Sequence, residues 1–264
     1  MIKRIYYQNK QVLRAFLGDK IIISIAPKLS ANFISGEYKQ DGAPCSFTDL
    51  FTFTRAGKAW LVRETGLQEY AADVPRLDDG LLIEQESTNI SPNINKYSAQ
   101  GGGTKEQLDD GYMRFNKGTG GGLIYVYPPY LKDTLYMYSL YVRAVINTNA
   151  AIITQGSTYS KSHTLVALEK KLLTLGLLRA GGASHVGLNA SSIDVLYAQL
   201  ETGERATTPV ITDRTPVTRP ADFLTSKITG TTVTGDWDST LTLSIVNGQL
   251  QHSGYGKIRI LEIR

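Results

Sequence analysis

Paired carboxylates are the first residues of this chain whose types and spacing suggest chemistry. Glycoside cleavage requires two carboxyl groups roughly 5 to 10 Å apart around a sugar. Glu84 with Glu86, and Asp236 with Asp238, each place two acids on one face of an extended strand. Such pairs arise by chance in a chain of 264 residues, and acids beside turns commonly accept backbone N–H groups. The sequence therefore favours a non-catalytic protein, with a glycoside hydrolase as the weaker alternative.

Other catalytic patterns are missing from the sequence. The three histidines, His163, His185 and His252, lie far apart, and neither H-E-x-x-H nor G-x-S-x-G occurs. The glycine-rich stretches match neither G-x-x-x-x-G-K-[ST] nor G-x-G-x-x-G after a strand, the patterns of phosphate-binding loops. Cys45 is the only cysteine, so an intrachain disulfide or a thiolate metal cluster is excluded. We therefore expect no cofactor.

Calcium remains open as a ligand. Asp78–Gly80, Asp109–Gly111 and the pair Asp236 and Asp238 offer carboxylate oxygens on turns, which are the ligands that calcium prefers. None of these groups has the spacing of an EF-hand loop. The sequence favours structural turns over metal sites at all three places.

Aromatic residues suggest a second chemistry, the binding of sugars. Sugar sites combine flat aromatic faces with planar amides or carboxylates, whereas alternating tyrosines within a strand usually pack against their neighbours. Tyr127 and Tyr130 flank two prolines, and Trp237 stands between Asp236 and Asp238. We expect these aromatic side chains to be exposed, and the five residues are the candidate glycan-binding set.

The composition indicates strands joined by tight turns. The chain has 15 Tyr and 25 Gly, and its clearest segment, LYMYSLYVRAVI, is apolar on both faces, as in an inner strand. Residues 164–180 predict two strands with a turn near Glu169, and Asn247–Gly248 predicts a hairpin turn. The sequence therefore predicts an all-β fold.

The charge pattern bears on partners and location. The net charge of +4 is small and interspersed, which argues against a nucleic-acid partner. The first residues lack the apolar core of a signal peptide, and no run reaches the ~18 apolar residues of a membrane span. We expect synthesis in a cytoplasm and no membrane span.

Proline and glycine clusters suggest a division into four parts. Residues 1–26 predict a hairpin-like β unit, 27–46 a linker, 47–222 a β-sandwich, and 223–264 a small C-terminal β domain. Within the sandwich, residues 47–70 predict a hairpin that turns at 56–58.

Two ordered groups of motifs resemble those of a known family. VPRLDDGLLIEQESTN runs from Val74 to Asn89, and YAQLE followed by a Thr- and Pro-rich TRPAD segment ends at Asp222. Together they resemble a module of tailed-phage and prophage virion proteins, whose jelly-roll-like β-sandwich is of the concanavalin-like, carbohydrate-binding-module type. Asp73 and the pair Glu86–Ser87 depart from the residues usual in that family. The matching positions, which the resemblance implies are structural, are Pro75, Arg76, Glu84, Thr88, Asn89, Gln199, Glu201 and Arg219.

The resemblance implies a virion structural protein made in a bacterial host cytoplasm. It implies a tail-fibre, tail-tip or receptor-binding component that engages host-surface polysaccharide, with other virion proteins as partners. Homo-oligomers, often trimers, are usual in the family, and residues 1–26 would then anchor the chain to the particle. Two alternatives stay open. One is a capsid decoration or head-fibre protein without glycan affinity. The other is a glycan depolymerase, although the long solenoid repeats of such enzymes are missing.

Overall fold

The computed structural model describes most of the chain. It covers residues 3–7, 10–17, 20–25, 27–99, 101–118, 123–126, 134–154, 160–178 and 186–264, with side chains for 27–99, 101–118, 134–153, 160–176 and 187–264. Among the helices of these ranges, none has the length and apolar character needed to cross a membrane. The fold is all-β, as the sequence predicts.

The described residues form 27 strands, one short helix α1 (Phe47–Leu50) and a 3-10 turn (Ile94–Lys96). In chain order the strands are β1 (Lys3–Tyr7), β2 (Lys10–Leu17), β3 (Lys20–Ile25), β4 (Leu29–Asn32), β5 (Glu37–Gln40), β6 (Ala43–Cys45), β7 (Phe51–Thr54), β8 (Ala59–Arg63), β9 (Gly66–Tyr70), β10 (Leu81–Ile83), β11 (Ser87–Asn89), β12 (Ser98–Ala99), β13 (Thr104–Gln107), β14 (Met113–Asn116), β15 (Leu123–Val126), β16 (Leu135–Ala144), β17 (Thr148–Thr154), β18 (Ser160–Leu165), β19 (Lys170–Leu178), β20 (Val186–Asn189), β21 (Ser192–Thr202), β22 (Val217–Arg219), β23 (Phe223–Ser226), β24 (Val233–Trp237), β25 (Leu241–Val246), β26 (Gln249–Gly254) and β27 (Gly256–Ile263).

The chain divides into two compact units, and each is built from separated segments. Unit 1 comprises Met1–Gly57, Ala71–Gln85 and Pro220–Arg264, and unit 2 comprises Lys58–Tyr70 and Glu86–Arg219. These limits differ from the four consecutive parts expected from the sequence. The difference arises because strands far apart in the sequence pair with each other, which a reading along the chain does not reveal.

Unit 1 is centred on the C-terminal strand β27. On one side β27 pairs with β24, and on the other it pairs with β10 and β4, which leads on to β5 and β6. The segment 27–46, expected to be a linker, therefore forms strands, and 223–264 is not a separate domain. Gly36 and Gly42 have φ of +72° and +83° beside β5, so glycines that suggested a linker instead make tight turns.

Unit 2 contains a two-layer β-sandwich. In one sheet the central strand β21 pairs on one side with β16, and β16 pairs in turn with β19. On its other side β21 pairs with β14 and β11, which pair in turn with β13 and β22, respectively. The other sheet has the order β12-β15-β20-β17-β18. A single buried cluster joins the layers, with Tyr138 and Leu140 of β16 beside Ile152 of β17 and Leu188 of β20. This apolar layer is the core of the sandwich.

The hairpin predicted for residues 47–70 is wrong. Residues 47–50 form α1, because Ser46 and Asp49 make a reciprocal capping box at its start. Strand β7 pairs with β23, whereas β8 pairs with β9 to form a hairpin in unit 2. The apolar pattern located β7 and β8 but did not reveal their partners.

The strongest local signals are confirmed. Strands β18 and β19 are separated by a turn at residues 167–168, and β16 is an inner strand. Asn247 and Gly248 have φ of +51° and +78° between β25 and β26, the backbone that an Asn-Gly hairpin turn requires. The described strands of residues 1–26 form the three-stranded sheet β1-β2-β3, and the anchoring role suggested for this segment stays a prediction.

Candidate functional site

A recess of about 290 Å³ opens on the outer face of the β21 sheet in unit 2. One wall comes from β9 and a second from the 3-10 turn. The others come from β13 with the turn that follows it, and from the segment 210–212. The lining residues are Leu67, Asn93, Ile94, Asn95, Gln107, Gly111, Leu196, Tyr197, Ala198, Val210, Ile211 and Thr212. Polar and apolar residues are thus mixed in one small concave site.

A β-bulge builds the floor of this recess. Tyr141 of β16 lies opposite Tyr197, but the next residue, Val142, lies opposite Val195, so Leu196 is the extra residue of β21. The bulge breaks the usual alternation of side chains. Leu196 and Tyr197 therefore both join an apolar cluster that is separate from the sandwich core.

The Tyr197 ring is held by its neighbours. It lies nearly parallel to the ring of Tyr141, with centroids 6.2 Å apart and an interplanar angle of 7°. Tyr197 is only 5% exposed. The ring is therefore part of the floor and does not offer a free flat face to a ligand.

Three carboxamide residues line the recess. Asn93 caps the 3-10 turn by accepting the N–H of Asn95 at 3.0 Å. Gln107 donates to the carbonyl oxygens of Leu108 and Tyr112 at 3.3 and 3.0 Å, which leaves its own oxygen available. The exposed Asn95 carboxamide has no hydrogen-bond partner among the described residues. Planar groups of this kind both donate and accept, and they suit ligand hydroxyl and amide groups.

A group of ion pairs stabilises the sheet beside the recess. The buried carboxylate of Asp194 accepts from Arg114 Nε at 2.7 Å and from Arg143 Nη2 at 2.6 Å. Arg143 also binds Asp110 at 2.5 Å and lies 4.3 Å from the centre of the Tyr112 ring. Burial, with the nearby Tyr141, raises the pKa of Tyr112 to about 12. Because Arg143 binds both Asp110 and Asp194, it connects the turn that carries Gly111 to the sheet.

The family-like residues of unit 2 hold a wall of the recess in place. Asn89 donates to the carbonyl oxygen of Val210 at 2.8 Å, and Gln199 accepts the N–H of the same residue at 2.7 Å. Glu201 accepts bonds from the hydroxyls of Ser87 and Thr207 and from the Thr207 N–H at 3.0 Å. All three family-like side chains are at most 1% exposed. They position the chain and do not face a ligand.

The remaining family-like residues of unit 2 lie at the strand pair β11-β22. The hydroxyls of Thr88 and Thr218 are 2.7 Å apart. Arg219 is 2% exposed and lies opposite Ser87 in the register. Neither Thr88 nor Arg219 lines the recess.

The family-like residues of unit 1 form a buried cluster of charges. The Asp222 carboxylate binds Arg55 Nη1 at 3.2 Å and Arg76 Nη2 at 2.5 Å, and Arg76 Nη1 binds Glu84 at 2.7 Å. Pro75 is half-buried just before Arg76. We call Arg55, Arg76, Glu84 and Asp222 the charge cluster. Its two positive and two negative charges balance, which limits the cost of burying them.

The described structure covers three of the five predicted glycan-binding residues, Asp236, Trp237 and Asp238. Tyr127 and Tyr130 lie outside the described residues, so their exposure stays a prediction. Trp237 is half-buried against the core of unit 1, which differs from the exposed ring expected, because it lies on the same face of β24 as Val233, and both pack on that core. Asp238 accepts from Arg259 at 2.9 Å and from the Lys257 N–H, and Asp236 is exposed.

In each of the two carboxylate pairs, at least one acid is bound to an arginine. Glu84 is bound to Arg76, and Glu86 is exposed. The hydrogen bond from the Lys257 N–H, together with Arg259, lowers the pKa of Asp238. A general acid needs a raised pKa at neutral pH, so Asp238 is set in the opposite direction.

The three proposed calcium turns are occupied by basic side chains. Asp110 binds Arg143, Asp238 binds Arg259, and Asp78 lies 3.6 Å from Lys257. In the part of the chain that the structure describes, no cluster of three or more His, Cys, Asp or Glu side chains is arranged to hold a metal ion. These turns therefore act as anchoring points for arginine and lysine.

Sequence reasoning did not find the residues of the recess. Asn93, Asn95 and Gln107 carry no motif, and nothing in the sequence marks Leu196 as a bulge. One signal was present: Val210 follows the YAQLE motif closely, so the family-like residues pointed to this end of the unit.

Of the comparisons with known proteins, the comparison with solved structures is the one that finds similar proteins. No family model and no curated protein matches the chain. A carbohydrate-binding module of Cellvibrio mixtus lichenase 5A, solved with cellotriose, is 13% identical with a TM-score of 0.33, over 44% of this chain and 99% of the module. The C-terminal module of LamC from Zobellia galactanivorans is 12% identical with a TM-score of 0.33, over 44% and 99%. The structure described as "BiXyn10A CBM1 APO" is 11% identical with a TM-score of 0.35, over 46% and 99%. These neighbours are β-sandwich modules that match less than half of this chain.

Proposed function

We propose that this protein binds a carbohydrate without transforming it, and that the recess of unit 2 is the binding site. The observation that carries the proposal is the composition of the recess. Apolar side chains and three carboxamides line it, and its lining includes no carboxylate, imidazole, thiol, amine or guanidinium group. A sugar has apolar C–H surfaces and an array of hydroxyls, which such a lining complements. The one lining residue of a type that can act in acid–base catalysis, Tyr197, is only 5% exposed.

The size of the recess fits a small part of a glycan. Its volume of about 290 Å³ is just below the range of about 300 to 1,000 Å³ that small-molecule sites occupy. A recess of this size suits one or two sugar rings better than a long extended chain. Recognition of a terminal or branching sugar of a surface polysaccharide agrees with that size.

The biological setting we propose is the particle of a tailed bacteriophage. The protein would be a tail-fibre, tail-tip or receptor-binding component, and the polysaccharide would belong to the host surface. The support is the ordered set of family-like motifs, several of whose residues hold the wall of the recess through Val210. Homo-oligomers, trimers in particular, are part of the same proposal.

A glycan array tests the binding, with host polysaccharide included. The protein should bind a defined subset of glycans and release no reducing ends from them. The variant Asn95→Ala should bind the same glycans less tightly. The Asn95 side chain is exposed and makes no hydrogen bond to the described residues, so its removal should leave folding intact. Loss of one ligand hydrogen bond lowers affinity about three- to tenfold. Gln251→Ala, an exposed carboxamide of unit 1, is the matched control and should bind like the parent protein.

Imaging of labelled particles tests the setting. Label at the tail tip together with glycan binding supports a receptor-binding component. Label over the head lattice, with no glycan bound, would instead identify a decoration protein. Light scattering of the purified chain measures the oligomer, and a monomer at particle-like concentrations would exclude the trimer.

A further inference from the structure

From the lining of the recess we infer that its preferred ligand is a neutral sugar that carries an acetamido group, an N-acetylhexosamine. The inference rests on the proposed function and specifies it further. Three properties of the recess lead to this ligand, namely its lack of charge, the kind of apolar surface it offers, and the position of its carboxamides.

The absence of charge in the lining selects against charged sugars. A carboxylate or ammonium group that leaves water must find an opposite charge or several strong hydrogen bonds. The cations beside the recess already have partners: Lys105 donates to the main-chain carbonyl oxygens of Asn95 and Tyr97 at 2.9 and 3.0 Å, and Arg114 and Arg143 bind the carboxylate of Asp194. Uronic acids and free amino sugars would therefore lose solvation without gaining a partner.

The apolar surface is aliphatic and not aromatic. Leu67, Ile94, Leu196, Val210 and Ile211 line the recess. The one aromatic lining residue, Tyr197, is 5% exposed and stacked on its neighbour in the sheet. An unsubstituted pyranose usually offers its broad C–H face to an exposed ring. A cup of branched aliphatic groups instead suits a compact methyl group, and the methyl of an acetamido substituent has this shape.

The carboxamides complete the match. An acetamido group has one N–H donor and one carbonyl acceptor, held in a plane. Asn95 has a free carboxamide, Gln107 has an available side-chain oxygen, and the side-chain nitrogen of Asn93 donates no bond among the described residues. One donor and one acceptor from this set can therefore satisfy both polar atoms of the acetamido group while its methyl enters the aliphatic part.

Leu67 is the residue that separates this ligand from a plain hexose. It lies on β9, is half-buried, and faces the recess from the hairpin that is added to the sandwich. Trimming it removes apolar contact for a methyl group and no hydrogen bond. The loss should therefore fall on the acetamido sugar and not on glucose.

The test is an NMR titration of the ¹⁵N-labelled full chain with three methyl glycosides, those of N-acetylglucosamine, glucose and glucosamine. We expect the first to bind at least tenfold more tightly than the other two, because a buried methyl group and one hydrogen bond each contribute several-fold. The amide signals of residues 93–95, 107 and 210–212 should shift. Leu67→Ala should weaken binding of the N-acetylglucosaminide and reduce its preference over the glucoside to less than threefold. Leu82→Ala, a half-buried leucine of unit 1, should preserve the preference.

The outcomes separate this inference from the proposed function. Equal affinity for the acetamido sugar and glucose at the recess would overturn the inference and leave carbohydrate binding in place. A glycan bound on the array without any shift of the recess signals would overturn the inference and move the site elsewhere. Failure of every glycan to bind, on the array and in the titration, would overturn both.

Discussion

Neutralising Asp222 should destabilise unit 1 more than any surface change. Its side chain is fully buried and binds two arginines, Arg55 at 3.2 Å and Arg76 at 2.5 Å. It also accepts the N–H of Glu84 at 2.9 Å. In Asp222→Asn the volume is kept and one carbonyl acceptor remains, but the charge cluster is left with a net positive charge away from water. Removing one partner of a buried ion pair typically costs about 3 to 5 kcal/mol.

The lower end of that range is the expected value. Arg55 keeps three main-chain acceptors, the carbonyl oxygens of Gly57, Ala71 and Val74 at 2.8, 2.6 and 3.1 Å. Arg76 keeps Glu84 at 2.7 Å. Most hydrogen bonds therefore survive, and the loss is mainly electrostatic. We expect the free energy of unfolding to fall by about 3 kcal/mol, which lowers the melting temperature by about 6 to 12 °C in a chain of this size.

Urea unfolding followed by tryptophan fluorescence measures this loss. Trp237 belongs to unit 1 and Trp60 to unit 2, so a Trp60→Phe background makes the signal report on unit 1. Asp236→Asn is the matched control, because its side chain is 59% exposed and lies 3.8 Å from Arg259. An exposed pair of that kind contributes at most about 1 kcal/mol. A loss of less than 1 kcal/mol in Asp222→Asn would refute the reasoning, since the cluster would then be no stronger than a surface pair.

Three further changes test other parts of the structure. Burial lowers the pKa of His252, whose Nε2 accepts a main-chain N–H. The contribution of the neutral His252 to the stability of unit 1 should therefore be fully present above the unfolded pKa near 6.5 and be lost as the pH drops below it. In urea titrations the free energy of unfolding should be lower at pH 5 than at pH 7 in the parent protein, and His252→Gln should lack this part of the decrease. Leu168 has φ of +68° and is 74% exposed, so Leu168→Asn should stabilise unit 2 by about 0.5 to 1 kcal/mol, measured through Trp60 in a Trp237→Phe background. Unchanged or lower stability would contradict that expectation. Glu201→Ala removes a buried acceptor of three hydrogen bonds and should cost about 2 kcal/mol or more in the same assay.

Local features of this fold could be predicted from the sequence, and distant pairings could not. The Asn247–Gly248 turn was predictable, because two adjacent positive φ angles require those residue types. Strand β16 was predictable as an inner strand because its residues are largely apolar on both faces. The pairing of β7 with β23 was not, because Phe51 and Ser226 meet across most of the chain and neither strand has a sequence signature for the other. The same non-local pairing explains why the compact units differ from the predicted domains.

The recess was hidden for a related reason. Its floor depends on one extra residue, Leu196, and a β-bulge leaves no mark in the pattern of residue types. Asn95 and Gln107 are isolated polar residues in turns and short strands, where polar residues are ordinary. The aromatic residues predicted to bind glycans were chosen because residues next to prolines or acidic side chains were expected to be exposed. Trp237 shows the weakness of that argument, because its ring packs on the core of unit 1 together with Val233, on the same face of β24.

The family-like motifs and the ligand-facing residues serve different purposes in this chain. Asn89 uses its whole side chain on protein groups: it donates to the Ala198 and Val210 carbonyls and accepts the N–H groups of Ser91 and Leu200. It fixes the wall of the recess but has no hydrogen bond left for a ligand. Asn95 makes no such bonds, so it can change without disturbing the fold. In this chain the motif residue Asn89 therefore supports the wall of the recess, whereas the contacts proposed for a ligand come from residues outside the motif, such as Asn95.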